Sequence, residues 1–166
     1  MKHLAAAIVA VLGLALGAGV AHADFSKKVL KTFKGKILIT DGELATQFDS
    51  DAALIAAYKK ASKSVITGAT TDGGSKTWNF HVMAFMKRTP GVRNVSLDFY
   101  RVEGKKKVYA ANKRLSGLDP KLRLLSTRIE LSEDDGLNAG RTYIVRLTAQ
   151  RGKREVILAE TKVTTK

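Results

Sequence analysis

The amino-acid sequence predicts a mainly-β chain: an antiparallel β-sandwich of about seven strands with one short α-helix inserted at about 50–62. Three observations lead there. Tyr143, Val145, Leu147 and Ala149 alternate with Thr142, Arg146, Thr148 and Gln150, Ile144 joining the second set, which is the period of a half-buried strand. Similar runs recur from residue 76 onward, separated by short turns rich in Gly, Asp or Pro. A helical period occurs in one segment, where Leu54, Ile55, Tyr58 and Ala61 follow a capping Asp49 or Ser50.

At the start, Met1, Lys2 and His3 form a short basic region before an apolar stretch and the small-residue site Ala21, His22, Ala23. Residues 1–23 therefore read as a secretory signal peptide cut after Ala23, placing the protein in the periplasm or outside the cell. The apolar stretch is short for a retained membrane anchor, so no transmembrane segment is expected after processing. Residues 24–34 are Lys-rich without a clear period and read as a basic flexible lead-in. Residues 35–166 read as a single domain, long enough to bury a substantial core.

Within that domain, residues 36–40 form a β-branched strand before Asp41 and Gly42. The helix follows, with Lys59, Lys60 and Lys63 at the end where the dipole favours cations. Residues 64–69 and 76–86 read as a hairpin about a turn at 71–74, with Trp78, Phe80, Val82, Ala84 and Met86 facing the core. The other face of that strand carries Asn79, His81, Met83 and Phe85, apolar enough to require cover by the helix or a partner. Next come strands at 94–102 (Val95, Leu97 and Phe99 inward), 107–115 and 122–131, the last with a phase slip that predicts a bulge near Leu124. Strands at 142–150 and 155–164 close the chain around a turn at 151–154.

Leu137, Gly140 and Tyr143, at three-residue spacing before an alternating strand, resemble the tyrosine corner of immunoglobulin-like and fibronectin type III sandwiches. The resemblance covers roughly the C-terminal half. It implies an Ig-like β-sandwich whose Tyr143 hydroxyl reaches back to a main-chain group upstream. Val145 stands where antibody domains place a disulfide cysteine, a departure shared with the fibronectin type III class.

The chain has no Cys and three His, of which only His81 outlasts a cut after Ala23. Nucleophilic triads and multi-His or multi-Cys metal sites lack their parts, so no catalytic residue, metal or cofactor is assigned and a non-enzymatic protein is expected. The acids Glu133, Asp134 and Asp135 before Gly136 lack the spacing of a calcium loop and read as partners for Lys105, Lys106 and Lys107. A minor alternative is a periplasmic copper-binding sandwich, if cleavage after Ala21 leaves an N-terminal His22 to act with His81 and Met83.

Charge carries the main functional expectation. The formal net charge is +14, of which the leader accounts for one through Lys2. Such a surface is drawn to anionic polymers, acidic proteins and acidic lipid headgroups. If the strands at 76–86, 94–102, 142–150 and 155–164 take the B, C, F and G places of the resembled fold, the loops 87–93 and 151–154 meet at one end. Lys87, Arg88, Arg93, Arg151, Lys153 and Arg154 would then converge as an anion-binding site, and the resemblance implies that loops at that end serve recognition. Nucleic acid is the poorer candidate, because export removes the protein from it and the basic loops lack stacking aromatics. A membrane surface is a further candidate partner. The competing class is a structural or assembly protein that pairs with itself or another chain through an apolar face around Met83, Phe85 and Tyr100.

Overall fold

Alternation builds nearly all of the secondary structure. The computed structural model describes residues 25–166; the expected leader, its cleavage site and His22 lie outside them. In chain order the elements are α1 (Lys27–Phe33), β1 (Lys36–Thr40), α2 (Asp51–Ala61), β2 (Val65–Ile66), β3 (Ala69–Thr70), β4 (Lys76–Phe85), β5 (Val95–Glu103), β6 (Lys106–Leu115), β7 (Leu124–Ser132), β8 (Thr142–Arg151) and β9 (Arg154–Thr165). The chain is mainly β, as expected. Each long alternating run became a strand, and every residue assigned inward on β4, β5 and β8 is buried.

The strands form one curled mixed sheet in which β7, β4, β1, β9, β8, β5 and β6 lie side by side. This differs from the two antiparallel sheets expected. Two pairings are parallel, β1 with β9 and β2 with β9, because α2 carries the chain across from β1 and returns it as β2 along the same neighbour. The expected arm at 64–69 splits accordingly. Val65–Ile66 joins β9, and only Ala69–Thr70 pairs with β4 beyond the turn.

The bulge expected near Leu124 is absent, since β7 pairs with β4 without a break from Leu124 to Ser132. Leu122 precedes the strand, which accounts for the phase slip. The register shifts lie instead between Phe99 and Tyr100 of β5 and between Leu147 and Thr148 along β8.

Inside the curl, Trp78, Phe80, Leu97, Phe99, Ile129, Tyr143, Val145 and Leu147 pack into the main core. A second cluster lies on the outer face of β1 and β4, where Leu38, Met83 and Phe85 meet Val29, Phe33, Leu54 and Tyr58 of the two helices. Of the two expected caps for α2, Ser50 serves, accepting from the Ala53 N–H at 3.2 Å.

The stretch expected to be a flexible lead-in is instead the second half of this lid. Val29 and Phe33, four residues apart on α1, are buried against Tyr58 and Phe85. Ser26 both caps α1 and donates to Asp51 Oδ2 at 2.6 Å, tying the two helix starts together. A seven-residue helix has too little period to be read and too little internal stability to stand alone, so its packing holds it.

Candidate functional site

Three connections share the end of the sheet at which β4 stops and β5 starts. Their main chains are bonded together: Gly91 N–H donates to Pro120 O at 3.0 Å, Leu118 N–H to Arg93 O at 3.0 Å, and Met86 N–H to Arg123 O at 2.8 Å. The β8–β9 turn joins them through Arg151, whose guanidinium donates to Pro90 O at 2.9 Å and to Thr89 O. Gly91, at φ +69°, allows this approach, because a Cβ there would sit 3.2 Å from the Arg151 Nη2. The loops 87–93 and 151–154 are thus in contact.

The six expected cations do not play equal parts. Lys87, Arg88, Arg93, Lys153 and Arg154 are exposed, whereas Arg151 is half-buried and committed to loop carbonyls. The Lys87 stem also crosses Gly35, where a Cβ would meet its Cε at 2.5 Å. Among the described residues the ion pairs are Lys63 with Asp41, Arg101 with Glu103 and Arg146 with Glu160, and none uses the six.

Sequence reasoning missed the third segment, which brings Lys121 and Arg123 to the same end together with Asp119. The Asp119 carboxylate accepts from the Lys121 main-chain N–H at 2.8 Å, so this acid closes its own turn. The connection between β6 and β7 had to lie at this end once those strands ran antiparallel to their neighbours. That signal was present in the strand order.

The corner residues sit at the opposite end. Leu137 and Tyr143 are fully buried, and the Tyr143 hydroxyl accepts from the Asn138 N–H at 2.8 Å. Gly140 N–H donates to Thr165 O at 2.8 Å, which binds the corner to the last strand. Two acids of the nearby turn accept from main-chain N–H groups, one at the end of β7 and one on β4, and among the described residues no acid of the turn is ion-paired with Lys105, Lys106 or Lys107. Asp135 accepts from Ser132 N–H at 2.8 Å, and Glu133 from Lys76 N–H at 3.1 Å. Among the described residues no group of three or more His, Asp or Glu is placed to hold a metal ion.

The apolar face named for assembly is not available as one surface. Met83 and Phe85 are sealed beneath α1 and α2, and Tyr100 lies on the outer face of β5, away from them. For the copper alternative, the Met83 thioether is likewise packed in the helix-covered cluster.

Two depressions of about 600 Å³ each flank the basic end. One lies on the outer face of β5, β6 and β8 and is lined mainly by polar side chains. The other runs beside β7 past Glu43, His81, Leu122 and Ser126. There His81 Nδ1 and Ser126 Oγ are buried without hydrogen-bond partners, and burial lowers the His81 imidazole from its ordinary range, with Glu43 opposing and Arg128 reinforcing the shift. Comparisons with family models, curated proteins and solved structures found no match to this chain.

Proposed function

We propose that this is an exported, non-enzymatic binding module that engages an anionic partner through the basic end of the sheet. The observation that carries the reading is the gathering of Lys87, Arg88, Arg93, Lys153 and Arg154 on loops tied together by Arg151, with none of them in an ion pair among the described residues. A guanidinium presents several donors in a planar fork suited to phosphate, sulfate or carboxylate oxygens, and a clustered ammonium adds charge. Arg151 fixes the geometry while the others meet the ligand. An Ig-like kinship of the C-terminal half belongs to the same proposal. Its support is the Tyr143 hydroxyl bonded back to Asn138, the contact that defines such a corner.

The test compares the wild-type protein with a variant in which Lys87, Arg88, Arg93, Lys153 and Arg154 become Gln while Arg151 is kept. Retention on an immobilised anionic polymer is read across a salt series. The wild type is expected to bind at low salt and elute as ionic strength rises, because exposed charges are screened. The variant, which keeps Lys121, Arg123 and a positive net charge, is expected to elute at markedly lower salt than the wild type with unchanged thermal unfolding. Equal retention of the two proteins would overturn the reading. Cell fractionation tests the export component, and the intact mass of the purified protein tests the cut after Ala23.

A further inference from the structure

The polar depression beside the basic end is built as a binding surface of another chemical kind. Its floor is Asp98, 5% exposed although it lies on the face of β5 turned away from the core. Ser96 Oγ donates to its Oδ1 at 2.5 Å and Thr148 Oγ1 to its Oδ2 at 2.7 Å. A carboxylate out of water is costly unless hydrogen-bonded, and these two hydroxyls meet that need while keeping lone pairs that can accept from a ligand. The two register shifts among the described strands border this depression: the extra residues, Ala110 of β6 and Leu158 of β9, lie across from Phe99/Tyr100 and Leu147/Thr148, and Tyr100, Tyr109 and Thr148 line it. Bulges re-aim side chains and collect beside working sites.

Aromatic surface is fixed at the far side. Tyr100 stands edge-on to Tyr109, with ring centroids 5.7 Å apart and planes at 75°, and the Arg146 guanidinium lies 5.2 Å from the Tyr100 centroid. Tyr109 is 54% exposed, more than any other large hydrophobic residue among those described. Tyr100 is thereby held and Tyr109 left open. Burial, reinforced by Glu155 and Asp98 and opposed by Arg146, raises the Tyr100 hydroxyl above its ordinary range.

Charge then narrows the ligand. Asp98 and Glu155 oppose a bare phosphate or sulfate in the depression, and Arg114 opposes a bare cation. An uncharged ring rich in hydroxyls meets neither objection, and its C–H face can rest on an aromatic ring. The depression also adjoins the basic end. Asn94, Gln150 and Glu155 in its lining directly neighbour Arg93, Arg151 and Arg154 in the chain.

We infer that the depression is a sugar subsite, and that the anionic partner is an acidic polysaccharide with one pyranose ring on Tyr109 and its acidic groups at Arg93, Lys153 and Arg154. This rests on the reading of the basic end as an anion site. Asn112, exposed on β6 opposite Asp98, supplies an amide to the ring hydroxyls.

The experiment uses protein purified from cells expressing the full chain, with immobilised hyaluronate, xanthan and inorganic polyphosphate as probes at one low salt concentration, both polysaccharides carrying uncharged rings beside acidic ones. Four proteins are compared: wild type, the double variant Tyr109→Ala with Asn112→Ala, Tyr109→Phe, and the five-Gln variant of the basic end. The double variant is expected to bind at least one of the two polysaccharides about tenfold more weakly, the scale of one lost aromatic platform with a hydrogen bond, and polyphosphate as well as wild type. Tyr109→Phe should bind like wild type, and the basic-end variant should bind all three probes much more weakly. Wild-type binding of polyphosphate but neither polysaccharide would overturn the sugar subsite. So would a double variant that binds both polysaccharides like wild type, and either result leaves the basic end standing. A basic-end variant that keeps all three probes would instead overturn the anion reading itself, and the sugar inference with it.

Discussion

Two patches of the same sheet face away from the same core and are finished in opposite ways. Over β1 and β4 the outer face is apolar and closed by two helices, so that Met83 and Phe85 are as buried as the residues beneath them. Over β5 and β8 it is polar and open, yet it still buries Asp98 and Thr148. A strand apolar on both faces needs a lid, and this chain supplies one from segments flanking β1. The polar patch needs none. There the hydroxyls of Ser96 and Thr148 do for one carboxylate what the helices do for a hydrophobic surface.

The sharpest way to break this contrast is to remove a piece of the lid. Phe33→Ala is expected to cost about 3–5 kcal/mol, the range for losing a buried aromatic, as read from urea unfolding. A loss below about 1 kcal/mol, the scale of an ordinary surface change, would mean that α1 is a loosely held appendage and that the outer face of β4 is closed by α2 alone. Of the two helices, only α2 could be read in the sequence. It has three turns and a visible stripe, whereas α1 has a cap in Ser26 but only two turns, with Val29, Leu30 and Phe33 among lysines, and takes its stability from what it covers.

Asp98→Ala probes the open patch with a smaller effect. Ser96 and Thr148 lose their shared acceptor, and a cost of about 1–3 kcal/mol is expected, with Asp98→Asn recovering part of it because an amide oxygen still accepts. Wild-type stability in the Ala variant would show that solvent reaches these hydroxyls and that the patch is wet throughout. Nothing in the alternation of β5 marks Asp98 as buried. It occupies an outward position like Ser96 and Tyr100, and its burial shows only once β8 brings Thr148 to its second oxygen.

The smallest effect belongs to His81, beside Met83 on β4. Its folded value is lowered, chiefly by burial, so the folded state binds fewer protons than the unfolded chain as pH falls. The stability tied to the neutral imidazole is therefore fully present above its ordinary value of 6.5 and is lost as pH falls through the lower folded value. Urea midpoints measured from pH 7.5 down to about pH 5, across the ordinary His range, should decline in the wild type, and His81→Gln should flatten that decline. An unchanged slope in the variant would assign the decline to other groups.

Most of the basic end was legible, because cation positions and strand order are both linear facts. The division of labour within it was not. Arg151 reads like its neighbours Lys153 and Arg154, and only the approach of Gly91, Pro90 and Thr89 makes it a tie instead of a free charge. Lys121 and Arg123 could have been added from the same strand order, because their segment leaves β6, which runs antiparallel to β5 and so ends where β5 begins.

The sequence by itself determined the long strands, the capped helix and the Tyr143 corner, because each depends on residues within a few positions of one another and on a period that backbone geometry imposes. The tertiary structure decided the rest. It joined the strands into one curled sheet with two parallel pairings, laid α1 against Phe85, placed the bulges on β6 and β9 across from Tyr100 and Thr148, and sank Asp98 between two hydroxyls. Those outcomes depend on which distant strands become neighbours, and hydrogen bonds between strands are indifferent to side-chain identity. The choice among pairings falls to the packing of whole faces, which no local stretch of sequence contains.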